Sequence, residues 1–140
     1  MVQATICHSF GAIQMIKNSL LAFLLIPGVA LADAHGGAAV GTFDIDGQRV
    51  LVNAAQMTLY TFDKDDGATS SCYDGCAGSW PPVLAEAGAA LPEGFALTER
   101  RDGTRQVTYN GQPLYLWAGD SAPGEMTGDG VGGVWHVAKP

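Results

Sequence analysis

Two hexapeptides carry the residues best suited to chemistry: Tyr60-Thr61-Phe62-Asp63-Lys64-Asp65 and Tyr115-Leu116-Trp117-Ala118-Gly119-Asp120, both of the form Y-x-[FW]-x-x-D. Side chains alternate along a strand, so Tyr60 and Phe62 project from one face, as do Tyr115 and Trp117. Aromatic rings beside a carboxylate suit a sugar ring, a planar cofactor or a cation. That makes Tyr60, Phe62, Asp65, Tyr115, Trp117 and Asp120 the candidate binding residues. The competing reading is structural: the stripes pack a core, and Asp65 and Asp120 cap the turns that follow by accepting from backbone N–H groups.

Metal chemistry has weaker support. Asp63, Asp65, Asp66 and Asp74, with Asp120 and Asp129 in the second stretch, are hard oxygen donors beside glycine turns, which is the chemistry calcium requires. Asp63, Asp65, Asp74 and Asp129 form the candidate set, although the D-x-D-D-G spacing follows an EF-hand loop only in part and no Glu stands at its twelfth position. Met57 and Met126 would be soft copper ligands if they met a histidine, yet His136 should point away from the face shared by Trp135 and Val137. No G-x-S-x-G, H-E-x-x-H or phosphate-loop motif is present. The expectation is a non-catalytic protein without a cofactor. Trp80-Pro81-Pro82 reads as a core anchor with a strand end, rather than as an exposed docking site.

The elements that position these residues follow from an internal repeat. Adding 55 to Leu59, Tyr60, Asp65, Asp74, Gly75, Gly78 and Trp80 lands on the same residue types at Leu114, Tyr115, Asp120, Asp129, Gly130, Gly133 and Trp135, and Phe62 meets Trp117. An internal repeat implies two copies of one supersecondary unit around a shared core. In the first copy, residues 42–46 alternate, Asp46-Gly47 turns the chain, Arg49–Val52 returns, and Met57–Phe62 makes a third strand. In the second, Phe95–Arg100, Arg105–Tyr109 and Gln112–Trp117 are separated by turns at Asp102-Gly103 and Asn110-Gly111. Each copy ends in a Gly- and Asp-rich loop and a short strand starting at Trp80 or Trp135. No segment after residue 40 shows helical periodicity. The expected fold is all-β: two tandem β-meander repeats, 41–84 and 95–140, joined by a connector at 85–94 and packed as one small domain about a pseudo-twofold axis.

Residues 1–32 read as a secretory signal peptide, with Lys17 before the apolar stretch 20–32 and cleavage after Ala32 or Ala34. Met15, followed by Ile-Lys-Asn, makes the more ordinary start, and residues 33–40 read as a flexible lead. All 14 Asp and Glu follow Ala32 with 6 of the 7 Lys and Arg, so 6 positive charges against 14 negative leave −8. Such a surface disfavours nucleic acid and anionic membranes, and no transmembrane segment remains after the leader. Cys72 and Cys76 in an oxidising compartment read as a disulfide. Their C-x3-C spacing is not the C-x-x-C of a thiol oxidoreductase.

The hexapeptides, with the Cys72-Tyr-Asp-Gly-Cys76 loop, Trp80-Pro81-Pro82 and the closing Gly128-Asp-Gly-Val-Gly-Gly-Val-Trp-His136, resemble the bacterial secreted-repeat family, described as predicted lipoproteins with a conserved Yx(F/W/Y)xxD motif. The resemblance covers nearly all of 41–140 and implies an exported envelope protein without an established activity. The chain departs from lipoprotein members in having no Cys at either cleavage position, which argues against a lipid anchor. The combined expectation is a soluble exported binding or interaction module, periplasmic or extracellular, whose partner is an envelope protein or small ligand. The alternative is a metal-binding protein.

Overall fold

The computed structural model describes residues 40–140; the expectations for the leader, the start at Met15, residues 33–39 and His35 lie outside them. β1 (Val40–Ile45) and β2 (Gln48–Asn53) form an antiparallel hairpin across Asp46-Gly47. Both turn residues have positive φ, 50° and 80°, the conformation that matches the right-handed twist of the flanking strands. Val40, assigned above to the flexible lead, is buried and opens β1. β3 covers Tyr60–Phe62 only. The expected start at Met57 is pre-empted by Asn53, whose Oδ1 accepts the N–H groups of Ala55 and Met57, both at 3.0 Å, and holds that stretch as a turn. In the second copy β4 (Phe95–Glu99), β5 (Arg105–Tyr109) and β6 (Gln112–Pro113) form a three-stranded antiparallel sheet, with Asn110-Gly111 as its second turn. β7 (Trp135–Val137) closes the chain.

One helical turn, α1 (Gly75–Ser79), interrupts the otherwise all-β domain, and a single 3-10 turn at Val131–Gly133 occupies the matching place in the second copy. Five residues are too few to display an apolar period, so this turn left no pattern to read. The Cys72–Cys76 disulfide forms across its start.

The terminal segments are exchanged between the repeats. β7 of the second repeat pairs antiparallel with β3 of the first, Tyr60 opposite Val137 and Phe62 opposite Trp135. Reciprocally, the end of the first repeat runs along the second: Ala118 N–H donates to Ser79 O (2.9 Å), Leu116 N–H to Pro81 O (2.8 Å) and Val83 N–H to Leu114 O (3.0 Å). Two closed backbone rings result. Leu51 N–H donates to Ala138 O, Ala138 N–H to Leu59 O, and Leu59 N–H to Leu51 O, at 2.9, 2.8 and 3.0 Å. Val107, Val83 and Leu114 repeat the ring at 2.7, 3.0 and 3.0 Å. Each ring takes two members from one repeat and one from the other.

All six ring residues are buried and, with Val40, form one apolar core, against which Ala85 and Leu91 of the connector also pack. The second core is aromatic. Phe62, Trp135, Trp80 and Trp117 stack in that order, with centroid spacings of 4.1, 3.8 and 4.1 Å. The central pair, Trp80 and Trp135, lies within 3° of parallel, and each is edge-on to a tyrosine, Tyr60 or Tyr115. Trp80 is therefore the core anchor expected of it, and Pro82 bridges to Tyr115.

Gly128 presses its backbone on this stack; a Cβ there would lie 2.8 Å from Trp80 Cη2 and 2.9 Å from the Tyr60 ring. Overpacking of that kind costs about 1–3 kcal/mol. Gly128→Ala should lose that much stability in urea unfolding, with a changed near-ultraviolet Trp signal; an unchanged midpoint would show that the stack is loosely packed. Opening the short disulfide loop through Cys72→Ser with Cys76→Ser should cost about 2 kcal/mol and leave a folded chain.

Candidate functional site

The six candidate binding residues do meet at the repeat interface. Tyr60 and Tyr115, equivalent by the repeat, lie opposite one another, Tyr60 N–H donating to Tyr115 O at 2.8 Å and Tyr115 N–H to Tyr60 O at 2.9 Å. Their hydroxyls then cross over. Tyr60 Oη–H donates to Asp120 Oδ2 at 2.6 Å and Tyr115 Oη–H to Asp65 Oδ2 at 2.8 Å, so the tyrosine of each motif is held by the aspartate of the other.

The second oxygen of each carboxylate caps its own loop. Asp65 Oδ1 accepts the Ser71 N–H (2.8 Å) and hydroxyl (3.1 Å), and Asp120 Oδ1 accepts the Thr127 N–H (2.9 Å) and hydroxyl (2.6 Å). The capping expected from sequence is thus half of what these aspartates do. The cross-repeat half left no local signal, since it joins residues 50 and 60 positions apart.

Tyr60 and Tyr115 are fully buried and present no face to solvent. Phe62 and Trp117, at the two ends of the aromatic stack, are half-buried. A ligand platform made of the whole stripe is therefore not formed; the tyrosines are core, and only the ends of the stack reach the surface.

The proposed metal ligands are separately engaged. Asp63 Oδ2 lies 2.8 Å from His136 Nε2, both side chains exposed, and Asp129 Oδ1 accepts the Val137 N–H at 3.0 Å. Asp65 is committed to Tyr115 and Ser71, and Asp74 stands apart at the start of α1. Met126 packs against the aromatic core. Among the described residues no three His, Cys, Asp or Glu side chains converge on a point that could hold an ion. The calcium reading thus finds no ligand set among the described residues, since Asp63, Asp65 and Asp129 are taken singly by a histidine, a tyrosine and a backbone N–H.

Sequence reasoning missed Arg100. Its side chain is only 2% exposed, with Nη1–H donating to Gln106 Oε1 (2.7 Å) and Ser70 Oγ (2.9 Å) and Nη2–H to the Cys72 carbonyl (2.8 Å). Its guanidinium also lies 4.2 Å from the centroid of the Tyr73 ring. Ser70 Oγ is 2.7 Å from Tyr115 Oη, so a buried polar chain runs from Asp65 through Tyr115 and Ser70 to Arg100 and Gln106. The nearest carboxylate oxygen, Asp102 Oδ2, is 4.0 Å from Arg100 Nε, and Nε is buried without a hydrogen-bond partner.

The clamped segment leads into Asp74, whose φ of 53° and ψ of −123° are glycine-like. Its carboxylate makes no capping bond to α1. A non-glycine residue there stores about 1–3 kcal/mol of strain. The disulfide and Arg100 fix the residues immediately before it.

Burial, and then the Asp120 carboxylate, hold the Tyr60 phenol well above its ordinary pKa; burial and Asp65 do the same for Tyr115. The unfolded tyrosines ionise near pH 10 while the folded ones keep their protons. Stability is therefore fully present below pH 10 and lost above it, at about 1.4 kcal/mol per pH unit for each tyrosine. Urea unfolding between pH 8 and 11.5 should show this decline, and Tyr60→Phe with Tyr115→Phe should flatten it. The double variant should also lose about 1.5–3 kcal/mol per phenol at pH 7, the worth of a hydrogen bond to a charged group. An equally steep decline in the double variant would assign it to other groups.

A family model described as "Secreted repeat of unknown function" matches residues 42–84 and 96–139. Comparison with curated proteins and with solved structures gives no match. None of the described helices is long and apolar enough to cross a membrane. With the model matching both repeats and more than half of its length, the chain belongs to the family of secreted repeats of unknown function.

Proposed function

We propose that the protein is an exported, non-catalytic binding module of the bacterial envelope, periplasmic or extracellular, which engages its partner through the loop Ser70–Gly75. The observation that carries this reading is how the side chains divide. The residues common to both repeats, the tyrosines, the motif aspartates and the Trp pair, are consumed in the interface. The features the repeats do not share centre on the first repeat's loop: the disulfide, the strained, exposed Asp74 beside half-buried Tyr73, and the clamp that Arg100 of the second repeat closes on that loop.

Strain at a surface carboxylate that does no capping work for its own helix is a functional signature, since a glycine would sit there without cost. Tyr73 adds an aromatic face, packed by the Arg101 guanidinium at 3.8 Å, with its hydroxyl accepting the Arg101 N–H at 3.1 Å. Supporting the non-catalytic part, His136 is the one histidine among the described residues, and it is paired with Asp63 on the surface with no hydroxyl or thiol nucleophile bonded to it.

A thermal-shift panel with calcium, copper, haem, a chelator and cell-wall sugars tests this reading, because a ligand that binds only the native state raises the melting temperature. The expected result is a shift that disappears in both Tyr73→Ala and Asp74→Gly, while Asp74→Gly itself melts higher by about 1 kcal/mol of relieved strain. A shift that survives both substitutions would remove the loop from the binding surface. A calcium or copper shift reversed by chelator would replace the reading with metal handling.

A further inference from the structure

The interface between the repeats has an unusual property: nearly everything that completes one repeat is supplied by the other, and the two are tied covalently only through residues 85–94. β3 pairs with β7, the segment 79–85 pairs along the second repeat, and each tyrosine hydroxyl reaches the other repeat's aspartate. The contacts are reciprocal about the Tyr60–Tyr115 pair and the Trp80–Trp135 stack, so the interface is self-complementary in the manner of a twofold dimer. Nothing in these contacts requires the two repeats to belong to one chain.

The interface departs from this symmetry at Arg100. The rings make Leu51 and Val107 equivalent, so Val50 corresponds to Gln106; the hairpin registers Phe43↔Val50 and Thr98↔Gln106 then make Ile45 the counterpart of Arg100. Ile45 and Val50 are buried in the aromatic core, whereas Arg100 and Gln106 build the polar chain to Ser70 and the Cys72 carbonyl of the first repeat. Two second repeats placed together would bury two guanidinium groups, neither facing a first-repeat loop. A buried charge that loses its partners is strongly destabilising.

We propose that the surface each repeat presents to its twin also accepts the twin repeat of a second copy of this chain, first repeat to second repeat only, with Arg100 setting that register. The product is a closed reciprocal dimer that keeps every inter-repeat contact of the monomer and differs only in the path of the connector. Covalent linkage gives the repeats an effective concentration on the order of millimolar. The monomer therefore dominates in dilute solution, and exchange appears when chains refold together at comparable concentration or when the connector is too short to fold back.

Asp63 and His136 provide the readout, since they lie on different repeats, are exposed, and are 2.8 Å apart across the interface. In the full chain with Cys7 replaced by Ser, one preparation carries Asp63→Cys and the other His136→Cys. The two are refolded together at about 1 mM and treated with a short thiol–thiol cross-linker. A covalent heterodimer is expected from the mixture and not from either preparation alone. Deleting residues 87–90 in the connector should shift the mass measured by light scattering from monomer to dimer at micromolar concentration. Absence of the heterodimer from the mixture, or a covalent dimer at equal yield in each preparation alone, overturns the proposal. A connector-deleted chain that remains a folded monomer overturns it as well.

Discussion

Neither repeat closes its own backbone. The ring through Leu51, Leu59 and Ala138, and its twin through Val107, Leu114 and Val83, each need one residue from the other repeat, and the rest of the structure follows from that requirement. A buried N–H or C=O left unpaired costs about as much as a lost hydrogen bond, so strands this short must find partners wherever they end. Here the terminal segments find them across the pseudo-twofold axis. The two hairpins, β1–β2 and β4–β5, pair locally from their turn residues and β6 adds to β5 within its own copy, but Tyr60–Phe62 of the first copy has no partner strand until β7 of the second arrives.

Once the segments cross, the aromatic core is determined. β7 brings Trp135 opposite Phe62, and the reciprocal segment brings Trp80 beside Trp117. The stack of four rings is thus a consequence of strand exchange, with its two most buried members at the centre and its half-buried ends at Phe62 and Trp117. The same crossing carries each tyrosine hydroxyl to the far motif's aspartate. A Tyr–Asp bond of 2.6–2.8 Å in a buried setting is then a lock between repeats, and each locked aspartate also fixes the start of its own loop through Ser71 or Thr127. Fold and loop placement are coupled through two carboxylates.

Much of this was legible in the residues, and the parts that were not share a cause. The hairpins were readable because Asp46-Gly47 and Asn110-Gly111 carry their conformational preference locally. The symmetry was readable because identical residues recur at a fixed spacing. Three features had no local signature: the exchange of terminal strands, the crossing of Tyr60 to Asp120, and the burial of Arg100. Each depends on which repeat a segment pairs with, and a repeated sequence is by construction silent on that choice, since both copies offer the same groups. The aromatic stripe shows the same limit from another side. Alternation placed Tyr60 and Phe62 on one face but did not reveal that a second copy covers the tyrosine and leaves the phenylalanine half open.

The choice the repeats leave open is made by the few positions where they differ. Arg100 and Gln106 stand where the first hairpin has Ile45 and Val50, and the loop they hold contains the only disulfide among the described residues. Replacing a buried polar cluster by apolar residues of similar volume is often neutral or stabilising, so stability alone does not account for keeping a guanidinium 2% exposed with an unbonded Nε. Two consequences of the cluster do account for it. It distinguishes one repeat from the other within an interface that is otherwise self-complementary, and it fixes the segment that leads to the strained Asp74. Both effects reside in the same few residues, so pairing and presentation are not independent: the contact that tells the repeats apart is also the one that shapes the first repeat's exposed loop.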